Sequence, residues 1–132
     1  MRHLCKTKIG HGRGQKLGFG TINCILPETL QAPHGIYTGY AYIKDQQYLA
    51  AIHFGPVPVF KDTTPTLEVH LIDQKLEINP PLIQIELLSF LRPIQNFPNE
   101  EALAEQIKKD ILAIKKLLQE ISPDPAGERL RY

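Results

Sequence analysis

The sequence predicts a mainly β domain: an antiparallel barrel or sandwich of six strands, followed by one long C-terminal helix. Short runs rich in β-branched and aromatic residues recur up to residue 91, each bounded by Gly, Pro or Asp, and no helical pattern separates them. An apolar periodicity typical of a helix then covers residues 97–122. The length of 132 residues suits a single domain with one core.

The strand pattern recurs in six segments. The segment "LCKTKI" is the weakest of them, and "KDQQ" at 44–47 is typical of a hairpin turn. The predicted strands are residues 4–9, 21–26, 35–43, 47–54, 66–72 and 82–91.

The helix has a recognisable start and end. Asn99 is the predicted N-cap, and acidic residues in the first turn complement the helix dipole. Pro123 and Pro125 end the helix, which predicts a domain over residues 1–122 and a flexible tail over 123–132. The apolar stripe expected to face the barrel is Leu103, Ile107, Ile111, Ile114, Leu118 and Ile121.

Charge and composition narrow the function classes. A net charge of +1 argues against nucleic acids and membrane surfaces as partners. No apolar run approaches the roughly 20 residues that a membrane-spanning helix needs. The two cysteines lack a C-x-x-C spacing and the N-terminus lacks the apolar core of a signal peptide, so we expect a cytoplasmic protein.

The glycine-rich segment "GHGRGQKLGFGTIN" (10–23) is the first candidate site. It matches neither a P-loop nor a dinucleotide-binding fingerprint. Glycines let a backbone approach a phosphate closely, and Arg13 and Lys16 supply positive charge within a stretch, residues 1–27, that has five basic residues and no acidic one. The segment therefore predicts a nucleotide-phosphate cradle, with a plain surface loop as the alternative.

Thr21 and Asn23 follow this segment. Residues two apart on a strand share a face, so their side-chain oxygens can meet at one point. Mg²⁺ prefers oxygen ligands and commonly takes the others from nucleotide phosphates. The pair predicts a Mg²⁺ site that forms with ATP, with ordinary surface residues as the alternative.

Glu68 is a carboxylate inside the apolar strand segment "TLEVHLID". Alternation places it with His70 and Ile72 on one face, and Leu67, Val69 and Leu71 on the other. A carboxylate in such a strand is paired, exposed or functional. The functional interpretation is a general base for phosphoryl transfer to a hydroxyl, and the alternative is a structural salt bridge.

Four motifs in order carry a family resemblance: "GRGQKLGFGTIN" (12–23), "GIYTGYAYI" (35–43), "PVPVFKDTTPTLEVHLID" (56–73) and "LSFLRPIQNFPNEEALAEQIKKDI" (88–111). Together they resemble the riboflavin kinase family, and the similarity runs from about Lys6 to Leu118. The resemblance implies a six-stranded Greek-key barrel with a C-terminal helix. It also implies ATP-dependent phosphorylation of the ribityl 5′-hydroxyl of riboflavin, which yields FMN and ADP.

The resemblance also implies roles for individual residues. In the family motif G-R-G-x-x-L-G-x-P-T-A-N, the Thr and Asn, here Thr21 and Asn23, hold the divalent metal (Mg²⁺, or another such as Zn²⁺ or Mn²⁺). Glu68 matches the catalytic base. The implied ATP contacts are Gly10, Gly12, Gly14, Lys16, Gly18, Leu71 and Asp73, and the implied flavin contacts are Arg92, Gln95 and Phe97.

Gly20, which replaces a proline of the family pattern, and Asn79-Pro80, which replaces Tyr-Gly, favour an alternative, a flavin- or nucleotide-binding module without turnover. A third departure is Ile22, which replaces an alanine and is expected to face away from the metal ligands. The chain begins directly at the barrel, so we expect a stand-alone kinase domain that makes FMN and lacks an FMN adenylyltransferase domain.

Other hypotheses have weaker support. An oligonucleotide-binding barrel lacks the expected interleaving of basic and aromatic residues. A metal centre built from the histidines and cysteines matches no zinc spacing. His11 is placed to contact phosphate, and His70 is either an orienting partner of Glu68 or a buried neighbour. We expect a monomer.

Overall fold

The chain forms a closed antiparallel barrel with a helix on its outer surface. The computed structural model describes residues 1–8, 20–56, 65–74 and 80–121, with side chains as far as residue 117. The strands are β1 (His3–Lys8), β2 (Gly20–Cys24), β3 (Gly35–Ile43), β4 (Gln46–Gly55), β5 (Thr66–Leu71) and β6 (Leu82–Arg92), and the helix is α1 (Glu100–Ile121). The predicted mainly β class, with six strands and a C-terminal helix, is confirmed.

The strand order around the barrel is β1-β2-β5-β4-β3-β6, closed by pairing of β6 with β1. β3, β4 and β5 are sequential neighbours, and β6 returns to lie beside β3, which is a Greek key. This order places β2 against β5, although two other strands separate them in the chain.

Predicted strand ends were less accurate than the strands themselves. The turn between β3 and β4 contains only Lys44 and Asp45, because Ile43 already pairs with Gln46. Lys44 has a φ of 55°, the left-handed conformation that two-residue hairpin loops use. The predicted turn over 44–47 was therefore two residues too long.

Alternating side chains fill the barrel interior. Ile22 and Cys24 of β2 point inward, as do Leu67, Val69 and Leu71 of β5. Ile22 is fully buried there, which confirms that it faces away from Thr21 and Asn23. The residues between these inward positions consequently lie on the outer surface of the barrel.

Cys5 and Cys24 are free thiols buried inside the barrel on the adjacent strands β1 and β2. The hydrogen bond with Cys5, together with burial, raises the pKa of the Cys24 thiol. A thiol that stays protonated is a poor nucleophile, because the thiolate is the reactive form.

Helix α1 covers part of the outer surface. Asn99 is its N-cap, as predicted, and accepts a hydrogen bond from the Ala102 backbone N–H at 2.8 Å. Leu103, Ile107 and Ile114 of the predicted stripe are buried. In the part of the chain that the structure describes, no helix has the length and apolarity needed to cross a membrane.

A buried ion pair fixes the helix to the barrel. Arg92, the last residue of β6, donates from Nε and from Nη2 to the two carboxylate oxygens of Asp110, each at 2.8 Å. Gln106 donates to the same carboxylate at 3.1 Å. The Asp110 side chain is only 5% exposed, so the guanidinium compensates for the water that the carboxylate has lost.

Substituting Asp110→Ala should lower the free energy of unfolding by about 3 kcal/mol, because it leaves the Arg92 guanidinium without its buried partner. A urea unfolding curve, monitored by circular dichroism, measures the change in the free energy of unfolding. The matched control on the same helix is Glu105→Ala, since Glu105 is exposed and pairs with Lys108 at the surface. The control should change stability by less than about 0.5 kcal/mol. Equal effects of the two substitutions would contradict the anchoring role of Asp110.

Alkylation of Cys5 and Cys24 by iodoacetamide at neutral pH should be slow in the native protein and fast in denaturant, because both thiols are buried and the pKa of Cys24 is raised. Mass spectrometry of timed samples counts the modified thiols. Rapid labelling of the native protein would contradict the inward placement of these side chains.

Candidate active site

The outer barrel surface carries two rows of directly opposed residues, each running across several strands. The acid row is Lys8, Asn23, Glu68, His53, Ile36 and Arg92, taken from β1, β2, β5, β4, β3 and β6. The histidine row is Thr21, His70, Ala51, Thr38 and Ser89, taken from β2, β5, β4, β3 and β6. Directly opposed residues of antiparallel strands share a face, so each row is a line of neighbouring side chains.

Strand alternation and register together assemble the candidate site. Thr21 and Asn23 are two apart on β2, and Glu68 and His70 are two apart on β5. The register opposes Asn23 to Glu68 and Thr21 to His70. The predicted metal ligands and the predicted base therefore lie on one face of adjacent strands.

His70 contacts both halves of this group. Its Nδ1 lies 3.1 Å from Thr21 Oγ1, which is hydrogen-bonding distance. Its Nε2 lies 3.7 Å from Glu68 Oε2, and the side chains of His70 and Glu68 are only 5% and 8% exposed. The imidazole thus lies between a predicted metal ligand and the predicted base.

A small cavity lies between α1 and the strand residues Glu68 and His70. It has a volume of about 20 Å³, which is enough for about one water molecule. Small-molecule pockets typically measure about 300–1,000 Å³, so this cavity is part of a site and not a complete flavin pocket. Its lining is Ile36, Ala51, His53, Glu68, His70, Arg92, Ile94, Leu103, Ile107 and Asp110.

The predicted flavin residues lie at the β6 end of this cavity and beyond it. The Arg92 guanidinium is paired with Asp110 and also donates from Nη1 to the Pro93 carbonyl oxygen at 3.0 Å. A flavin contact from Arg92 therefore requires its guanidinium to share or to leave this ion pair. Gln95 is exposed and Phe97 half-buried in the segment that leads to α1.

Of the predicted nucleotide-binding residues, the structure describes only Leu71 and Asp73. Gly10, Gly12, Gly14, Lys16 and Gly18 lie outside the described residues, as does His11. The Leu71 side chain is fully buried in the barrel interior, so a nucleotide contact at this position has to come from its backbone. Asp73 has a φ of 60° and is exposed, and its Oδ1 accepts a hydrogen bond from Lys115 Nζ at 2.6 Å.

The donor set on β2 suits a hard divalent cation that arrives with phosphate ligands. Thr21 and Asn23 offer neutral oxygens on one face, beside the carboxylate of Glu68. Among the described residues, no group of three or more His, Cys, Asp or Glu side chains could hold a metal ion. The oxygen-only set fits Mg²⁺ bound together with a nucleotide, and it lacks the soft ligands of a structural zinc site.

Two polar residues that line the cavity, Asp110 and His53, were not predicted as site residues from the sequence. Asp110 occupies a position between Ile107 and Ile114 on the apolar face of the helix, and a charged residue in that stripe was the available signal. His53 lies opposite Glu68 across β4 and β5, which only the strand pairing reveals. Its Nε2 lies 3.0 Å from the Gly55 carbonyl oxygen.

Among solved structures, the fold resembles that of a macrolide-efflux protein from Streptococcus pneumoniae. The TM-score is 0.72 at 23% identity, over 86% of this chain and 38% of that one. At this identity the similarity supports the barrel fold alone.

Sequence comparisons identify the family. The family model described as Flavokinase: Riboflavin kinase matches residues 5–118. The riboflavin kinase of Homo sapiens is 31% identical over 133 residues, which cover 90% of this chain and 84% of that protein. The RNA-binding riboflavin kinase RibR of Bacillus subtilis is 32% identical over 108 residues, covering 81% of this chain and 46% of that protein. The chain therefore belongs to the riboflavin kinase family, enzymes that phosphorylate riboflavin to FMN with ATP.

Proposed function

We propose that this chain transfers the γ-phosphoryl group of Mg²⁺–ATP to the 5′-hydroxyl of riboflavin, with Glu68 as the general base and Thr21 and Asn23 as metal ligands. The observation that carries the proposal is the register of β2 and β5, which sets Asn23 directly opposite Glu68. A hydroxyl bound over this outer face would be within reach of the Glu68 carboxylate and of a phosphate whose metal Thr21 and Asn23 hold.

Glu68 has the features that a base for an alcohol needs. Its carboxylate lines the cavity under α1 and is almost fully shielded from water. In the proposed step it accepts the hydroxyl proton while the oxygen bonds to the γ-phosphorus, and ADP leaves with the electrons of the broken P–O bond. Phosphoryl transfer depends mainly on the positioning of the reactants and on charge compensation. One base beside a metal site therefore supplies enough catalytic groups for this reaction.

Thr21 and Asn23 would hold the metal by their side-chain oxygens. When bound, Mg²⁺ supplies charge neutralisation to the phosphate oxygens. The two protein ligands are neutral, so most of the binding energy for the cation has to come from the nucleotide. The proposal keeps the flavin-binding roles of Arg92, Gln95 and Phe97. It also keeps the predicted ATP contacts, which are Gly10, Gly12, Gly14, Lys16, Gly18, Leu71 and Asp73.

Binding without turnover is the competing hypothesis, and it is based partly on Gly20. The Gly20 backbone N–H donates to the Gln74 carbonyl at 2.9 Å, a bond that a proline at this position cannot make. This hydrogen bond therefore joins the start of β2 to the segment that follows β5. The binding hypothesis also rests on Asn79-Pro80, of which Asn79 lies outside the described residues. Because RibR is matched over less than half its length, its RNA binding is not part of the proposal.

Glu68→Gln should lower the rate of FMN formation by ~100-fold or more, because the amide cannot accept the hydroxyl proton. Chromatography of reactions with riboflavin and Mg²⁺–ATP measures the rate, and quenching of flavin fluorescence should show nearly unchanged riboflavin binding. The matched control is Glu86→Gln on β6, whose carboxylate accepts a hydrogen bond from Tyr42. The control should retain turnover. Full activity of Glu68→Gln would exclude it as the base, and binding without FMN formation by the unsubstituted protein would favour the binding module.

Asn23→Ala should raise the Mg²⁺ concentration for half-maximal activity by ~10-fold or more, since it removes one of two protein ligands. The titration is done at saturating ATP and riboflavin, and Mn²⁺ and Zn²⁺ are compared with Mg²⁺. Asn96→Ala, an exposed position before α1, is the control and should leave the titration unchanged. An unaltered Mg²⁺ requirement in Asn23→Ala would contradict the metal assignment.

A further inference from the structure

We infer that His70 is a positioning residue that couples the metal ligand Thr21 to the base Glu68 through a fixed tautomer of its imidazole. The inference rests on the proposed function for the roles of Thr21 and Glu68. It goes beyond that function because it assigns a proton position and a role to a residue that contacts neither the phosphate nor the flavin in the proposal.

The geometry places one ring between two functional groups. Thr21 lies opposite His70 on β2, and Nδ1 of His70 is 3.1 Å from the Thr21 hydroxyl oxygen. Nε2, on the other side of the ring, is 3.7 Å from a Glu68 carboxylate oxygen. Ala51 lies opposite His70 on β4, so the ring has a small neighbour on that side.

The contacts of the two ring nitrogens together favour one tautomer of His70: Nε2 faces a carboxylate, which can only accept, and Nδ1 faces a hydroxyl, which can donate. A hydroxyl has one proton to donate and two lone pairs. A metal ligand presents a lone pair to the cation, so the proton has to point elsewhere. The Nδ1 atom is within hydrogen-bonding distance and can accept it only if Nδ1 is unprotonated. In the neutral imidazole the proton then resides on Nε2.

The Nε2–H faces the base. A distance of 3.7 Å is longer than a direct hydrogen bond, so the interaction at this distance is electrostatic orientation of the carboxylate. The positive end of the N–H dipole attracts one oxygen of Glu68, whose side chain lines the cavity. His70 therefore sets the metal-facing lone pair of Thr21 and the orientation of Glu68 with the same ring, as partners of metal ligands commonly do.

The tautomer can be observed in the metal-free protein. ¹⁵N NMR of histidine-labelled protein at about pH 8 distinguishes a protonated ring nitrogen from an unprotonated one. We expect Nδ1 unprotonated and Nε2 protonated in the unsubstituted protein and in Thr21→Ser. Thr21→Val removes the hydroxyl donor and should move the ¹⁵N chemical shift of the unprotonated Nδ1, because its hydrogen bond is lost. The opposite tautomer in the unsubstituted protein, or an Nδ1 shift that Thr21→Val leaves unchanged, would overturn the inference without bearing on turnover.

Two conservative substitutions of His70 distinguish its contact with Thr21 from its contact with Glu68. In His70→Asn the amide oxygen can replace Nδ1 as acceptor, and in His70→Gln the amide nitrogen can replace Nε2 as donor. His70→Asn should keep the Mg²⁺ half-saturation within about 3-fold while kcat falls ~10-fold or more. His70→Gln should show the reverse, and His70→Ala should show both losses, on the scale seen for groups that orient metal ligands.

A purely structural role for His70 predicts a different pattern. All three variants would then lose stability in urea, with kcat and Mg²⁺ half-saturation unchanged once the folded fraction is corrected for. That pattern, or equal kinetic losses in His70→Asn and His70→Gln, would overturn the inference. If a variant does not fold, the NMR comparison of Thr21→Ser and Thr21→Val still decides. Failure of the proposed function is seen separately, as full turnover in Glu68→Gln.

Discussion

The register between β2 and β5 is the constraint on which the site depends. It opposes Asn23 to Glu68 and Thr21 to His70, and so brings two neutral oxygens, a carboxylate and an imidazole onto one face. Strand side chains alternate, so a slip of one residue would turn this set into the barrel interior and expose apolar residues such as Ile22. The apolar interior of the barrel therefore specifies the register, and the same packing that stabilises the fold aligns the site.

Helix α1 converts this outer barrel face into a shielded one. Its apolar residues pack beside the acid row, and the ion pair between Asp110 and Arg92 fixes the helix at the β6 end. Removal of water strengthens electrostatic interactions among the groups that remain. The carboxylate of Glu68 is consequently held beside His70 and shielded from solvent, which suits the base role that we propose for it.

The sequence predicted the parts of this arrangement that depend on local patterns. Alternation placed Glu68 and His70 on one strand face and Thr21 and Asn23 on another, and the N-cap at Asn99 followed from helix rules. The pairing of these two faces was not predictable from the residues alone, since Thr21 and His70 are 49 residues apart in the chain. Asp110 was missed for the same reason, because its partner lies on β6.

A crystal structure of the protein with Mg²⁺–ADP and riboflavin tests the proposed site most directly. We expect a Glu68 carboxylate oxygen about 2.6–3.2 Å from the riboflavin 5′-hydroxyl. We also expect Mg²⁺ at about 2.0–2.1 Å from the side-chain oxygens of Thr21 and Asn23. A hydroxyl held by another base such as His53, or a metal bound away from β2, would contradict the proposed site.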